Sequence, residues 1–201
     1  MSNQLIRTIE VTKDILSVNQ IDHRAAYPQP IPPIQQDLRT VTFSNDAPRR
    51  FSPGHVIVIT GIPTGNPRGT FLLYFTEGAT KRHTLHFNPR FEPNFVVIRN
   101  AMNENMSFGL EERYGNFPFH VDEQFKLAIG ITDTGFKFAI NGEFFARFGY
   151  RTDNPLPFMN GFKISTGNGM HLAITEVDHV VTDTIDCDDI VKMSHPDNEI
   201  D

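Results

Sequence analysis

The 201-residue chain contains no tryptophan and a single cysteine, Cys187. One cysteine excludes any disulfide within the chain. No run approaches the roughly 18 apolar residues of a membrane-spanning helix, which argues against membrane insertion. Met1 to Glu10 lacks the apolar core of a signal peptide, so cytosolic synthesis is expected. Basic residues are in deficit: 18 Lys and Arg stand against 24 Asp and Glu, a net charge of −6. Wholesale attraction to nucleic acid or to an anionic membrane is therefore not expected. No window keeps a 3.6-residue apolar period, so almost no helix is predicted. The eight His residues show no spacing that would gather a metal ion, and no nucleophile–base pair is recognisable. Neither a metal nor a cofactor is predicted.

What the chain does have is 18 Phe, 14 Gly and 14 Pro, a mixture that suits many short strands joined by turns. Strand-like runs follow one another from Arg39–Phe43 through His55–Thr60, Phe71–Phe75, Lys126–Thr132 and Phe136–Ile140 to His171–Val177. Asn141-Gly142 is a two-residue hairpin signal. The segment 61–69, with three Gly and two Pro, reads as a loop. Eleven or so strands with turns every 8 to 12 residues predict an all-β fold, an antiparallel β-sandwich over residues 39–181. Residues 1–38 read as an N-terminal extension with a polyproline-like linker at 27–33. Within it, residues 16–23 echo 172–179, with three of eight positions identical. The echo fits a remnant last strand of a preceding domain, or a chance β-like match. Residues 182–201 carry seven carboxylates against Lys192 alone and read as an acidic C-terminal tail without structure.

The stretch with chemistry is 86–113. His86, Asn88 and Arg90 are spaced by two, so in a strand they share one face while Phe87 and Phe91 enter a core. Pro89 between them suggests a kinked or edge position. Val96–Asn100 reads as a second strand. A third carries Phe108, Glu111 and Arg113. If the three are neighbours, an imidazole, two amides, two guanidinium groups, a carboxylate and an aromatic ring line one groove floor. Sugar hydroxyls donate and accept together, and a sugar's C–H face is apolar; this inventory answers both needs. Glu111 between Arg90 and Arg113 would hold both forks in place. Glu112, adjacent to Glu111, would face the other way, which argues against a glycosidase pair.

The runs His86-Phe87-Asn88-Pro89-Arg90-Phe91, Val97-Ile98-Arg99-Asn100 and Phe108-Gly109-Leu110-Glu111-Glu112-Arg113 resemble the carbohydrate-recognition signature of the galectins. The resemblance extends through Phe117-Pro118-Phe119 and Gly135 to Gly142, and covers roughly residues 39 to 181. It implies a jelly-roll sandwich related to the legume lectins, without catalysis or metal. It implies that His86, Asn88, Arg90, Asn100, Glu111 and Arg113 hydrogen-bond a β-galactoside on glycoproteins or glycolipids. The position of Phe108 is normally Trp in the family, stacking on galactose. That departure leaves a second reading, a galectin-fold protein-interaction module with weakened or shifted sugar specificity. The resemblance also implies a dimer or tandem-repeat context, and an extracellular role reached without a signal peptide.

Overall fold

In a computed structural model of the chain, the described residues are 40–45 and 50–196. The extension 1–38, with its Pro-rich linker and the echo at 16–23, lies outside them. Among the described residues ten strands run in order: β1 (Thr40–Asn45), β2 (His55–Gly65), β3 (Thr70–Glu77), β4 (His83–Arg90), β5 (Val96–Asn100), β6 (Phe125–Ile131), β7 (Gly135–Ile140), β8 (Glu143–Gly149), β9 (Met159–Gly167) and β10 (Met170–Val181). One helix among the described residues, α1 (Cys187–Met193), follows. The front sheet has the order β1-β9-β3-β4-β5 and the back sheet β10-β2-β6-β7-β8. Every pairing is antiparallel, giving the expected sandwich.

Phenylalanine joins the two layers. Phe71 of β3 stacks on Phe125 of β6 at 5.4 Å between ring centres, Phe87 of β4 meets Phe138 of β7 at 5.0 Å, and Phe75 reaches Phe136 at 5.3 Å. All six rings are buried. Burying one such side chain stabilises the fold by about 1.5–3 kcal/mol, and offset or edge contacts add to that. The β7–β8 hairpin turns on Asn141 and Gly142, both at positive φ (51° and 81°), as a tight hairpin of matching twist demands.

Three expectations are corrected. Residues 61–65 are not loop but the second half of β2. There β6 pairing has ended at Gly61 while β10 pairing continues to Gly65, so Pro63 sits where only one flank is laddered. Residues 108–113 do not form a third groove strand; their backbone meets the sheet in the isolated bridges Met102–Phe108 and Arg99–Glu112 and in the Gly109 amide's bond to the Ala101 carbonyl, not in a continuous ladder. The acidic segment after β10 is not structureless. Asp186 caps α1 by accepting from the Asp189 amide, and the Asp189 side chain accepts from the Asp186 amide in return, a reciprocal capping box.

The helix lies on the outer face of the back sheet. Ile190 is buried against Val56, Val58, Ala128 and Ala139. A methyl group at Gly130 would stand 2.8 Å from Ile185 and 3.1 Å from Ile190, so the missing side chain there makes room for both. Lys137 Nζ donates to the Ile185 carbonyl at 2.7 Å, and Ser194 Oγ accepts from the Gly142 amide at 3.1 Å. Apolar residues at 185, 190, 191 and 193 supply a sticky stripe that overall acidity hides. Ile190→Ala is expected to cost about 2–5 kcal/mol of stability, read as a lower urea midpoint; an unchanged midpoint would show that the helix contributes nothing.

Candidate functional site

The front sheet brings the seven predicted residues together. The register sets His86 opposite Asn100 across β4 and β5, and opposite Tyr74 across β4 and β3. Tyr74 in turn faces Lys163 of β9. Asn88 and Arg90 follow His86 on the same face of β4. The face is drier than an ordinary wet strand face: His86, Asn88 and Asn100 are all buried. Buried polar groups need partners, and those partners decide what remains for a ligand.

Asn88 is used first by the fold. Pro89 has no N–H to offer β3, yet its register places Phe71 opposite, between the pairs Thr70–Arg90 and Leu73–Phe87. The Asn88 amide supplies the missing donor at 2.8 Å to the Phe71 carbonyl and also bonds Thr70 Oγ1. Thr70 Oγ1 donates to the Pro89 carbonyl at 2.7 Å. Thus Pro89 sits in a strand paired on both sides because a neighbouring side chain completes the ladder. Asn88 Oδ1 accepts from Arg90 Nε at 3.0 Å, which leaves Asn88 an acceptor toward the groove.

Glu111 stands between two guanidinium groups. Arg90 Nη2 donates to Oε1 at 2.8 Å; Arg113 donates to Oε2 from Nε at 3.0 Å and from Nη2 at 2.5 Å. Burial alone would raise the carboxyl's pKa, but hydrogen bonds and charge from Arg113 and Arg90 outweigh it and hold the group below the usual carboxylate range. Partly exposed pairs of this kind add only about 0–1 kcal/mol each. Their effect is to hold both forks in one geometry, with donors left over.

Asn100 is fixed by three groups. Its Nδ2 donates to the Gly109 carbonyl at 2.9 Å, and its Oδ1 accepts from the Ala101 amide at 2.9 Å and from Arg151 Nη1 at 3.1 Å. Phe108 is not a core residue. Its ring is 45% exposed and lies edge-on to His86 at 4.9 Å and to His83 at 5.6 Å. His83 stacks flat on Tyr74 at 4.6 Å. One phenylalanine is thereby extended into a four-ring surface.

Tyr74, His83, Arg99 and Arg151 were missed by sequence reasoning. Tyr74 could have been found by continuing the period-two face into β3. Arg99 lies on the core side of β5 and is fully buried; its Nη2 donates to the Tyr114 carbonyl at 2.8 Å and its guanidinium sits 4.3 Å over the Tyr114 ring. Burial lowers its pKa, against the opposing influence of Tyr114 and Glu112. Glu112 turns away from Glu111 to pair with Arg151 at 3.3 Å. Among the described residues, no group of three or more His, Cys, Asp or Glu could hold a metal ion.

Comparison with known proteins gives the family. The profile of the galactoside-binding lectin family matches residues 42–171. A 32 kDa beta-galactoside-binding lectin of Haemonchus contortus is 39% identical over 107 residues, covering 47% of this chain and 37% of that protein. Human galectin-7 is 30% identical over 115 residues, covering 57% of this chain and 83% of that protein. The chain thus spans less than two fifths of the longer nematode relative. A solved structure of sheep galectin-11 in complex with glycerol shares the fold with a TM-score of 0.55 at 14% identity, covering 66% of this chain and 93% of that one. With the sandwich and a profile match across most of it in agreement, this chain belongs to the galactoside-binding lectins, the galectin family.

Proposed function

We propose that the chain is a non-catalytic, metal-independent lectin that binds β-galactosides of the lactose or N-acetyllactosamine type on glycoproteins or glycolipids. The observation that carries this reading is the division of labour on the front sheet. Asn88 offers an acceptor, Asn100 its remaining N–H, Glu111 lone pairs, and Arg90 and Arg113 spare donors. Beside them the exposed Phe108 ring offers apolar surface to a sugar's C–H face. A glycosidase mechanism fits poorly. Glu111 is held ionised between two arginines and cannot serve as a proton donor, and Glu112 is turned to Arg151. Shallow disaccharide sites bind in the range of about 10 µM to millimolar. Avidity then comes from several sites per particle, as in a dimer or tandem repeat.

Titration calorimetry with lactose, against maltose as control and with EDTA present, tests the reading. Heat is expected with lactose alone, undiminished by EDTA. No heat at about 10 mM lactose would sink it in favour of the protein-interaction reading. Phe108→Trp should tighten lactose about two- to fivefold through greater ring area and face potential, and Phe108→Ala should weaken it. Equal affinity in all three would remove Phe108 from the site. The affinity difference between wild type and Glu111→Gln should also depend on pH with a definite sign. The folded-state carboxyl titrates below its ordinary 4.5, so the ionised form's contribution is fully present above that value and lost as pH falls through the depressed pKa. The difference should stay constant from pH 7 to 5 and shrink only in stronger acid; shrinkage already at pH 6 would contradict the assignment.

A further inference from the structure

We propose that Arg151, which lies beyond β8 at the end of the back sheet, is a positioning residue for the sugar face on the front sheet. The inference rests on the lectin reading and adds a residue that does not face the sugar. It starts from the weakness already noted: residues 108–113 carry three site side chains but form no strand. A few separate backbone bonds, not a continuous ladder, hold them, so side chains must share the task. Arg151 touches that segment at two points and the adjoining strand at a third. Nη1 donates to the Leu110 carbonyl at 2.5 Å and to Asn100 Oδ1 at 3.1 Å, while Nη2 donates to Glu112 Oε1 at 3.3 Å. Its own plane is braced 4.9 Å over the Phe148 ring, a buried core residue. The side chain is therefore a strut between a rigid layer and an irregular segment.

The chemistry of the strut also sets the polarity of Asn100. A guanidinium has donors and no acceptor. The Ala101 amide is likewise only a donor, and the Gly109 carbonyl only an acceptor. The amide of Asn100 can satisfy all three in one orientation alone, with oxygen toward Arg151 and nitrogen toward Gly109. Its remaining N–H is then the group left for a sugar oxygen. Gly109 is part of the same fit: a methyl group there would stand 2.8 Å from Arg151 Nη1, so any larger residue displaces the guanidinium. Arg151 thus acts on a ligand twice without touching it, by placing Glu111 and Phe108 and by choosing which face of Asn100 is offered.

The test is a double-mutant cycle on lactose affinity, with amide hydrogen exchange measured without sugar. Arg151→Met keeps the length and removes the donors. It is expected to weaken lactose about tenfold, the weight of a lost charged hydrogen bond, with part of the loss recovered by Arg151→Lys. In an Asn100→Ala background the same change should cost much less, because the two residues act through one contact. The amides of Gly109 and Glu112, bonded to the Ala101 and Arg99 carbonyls, should exchange about tenfold faster. A merely stabilising residue would lower the melting temperature and give additive losses. Wild-type affinity in Arg151→Met, or additivity with unchanged exchange, would overturn the proposal. Should wild type itself give no heat with lactose, the lectin reading fails, and exchange at 109 and 112 alone decides whether Arg151 holds the segment. If Arg151→Met does not fold, Glu112→Gln, which weakens one leg of the strut, is read the same way.

Discussion

The carboxylate of Glu111 grips two guanidinium groups, and the amides of Asn88 and Asn100 are each held by partners on both ends. These bonds express one constraint. A polar face this dry must satisfy itself before it can satisfy a ligand, because an unpaired buried donor or acceptor costs about 1–3 kcal/mol. The self-satisfaction is incomplete by design of the geometry. Each group is fixed by the bonds it makes and keeps a lone pair or a proton in reserve. Groups fixed in this way need little reordering when a partner arrives.

The same constraint explains why Pro89 is tolerated in the middle of the front sheet. A proline there removes one ladder bond. The Asn88 side chain repairs it at the Phe71 carbonyl, and in doing so becomes fixed as an acceptor. The same side chain completes the sheet and holds Arg90, so Asn88→Ala would disturb the sheet as well as the face. Asn88 therefore differs from Arg113, which is largely exposed and bonded to Glu111.

On the opposite side of the sandwich the back sheet is closed by the chain itself. Ala128, Gly130 and Ala139 leave a depression that Ile185 and Ile190 fill. Seven carboxylates in the last twenty residues made this segment read as solvated. Composition averages over a segment, whereas docking needs only one apolar stripe and a surface shaped to take it. Acidic residues even favour the helix start, where Asp186 caps the Asp189 amide and Asp188 and Asp189 lie in the first turn, at the positive end of the helix dipole.

The sandwich, its antiparallel pairing and the face shared by His86, Asn88 and Arg90 were legible in the residues alone, because strand periodicity is local and the phenylalanines had to go inside. The hairpin at Asn141-Gly142 was legible for the same reason. What could not be read was everything set by contacts distant in sequence. The Gly- and Pro-rich half of β2 became strand because β10 came to lie beside it. The segment 108–113 lost its strand character because its backbone bonds to the sheet are isolated and not continuous. Arg151 came to stand behind Asn100 across 51 intervening steps of chain. Local chemistry therefore determined which groups the face would carry, while the packing of one sheet's end against the other decided how each is turned, since the direction of a hydrogen bond depends on the partner that folding brings to it.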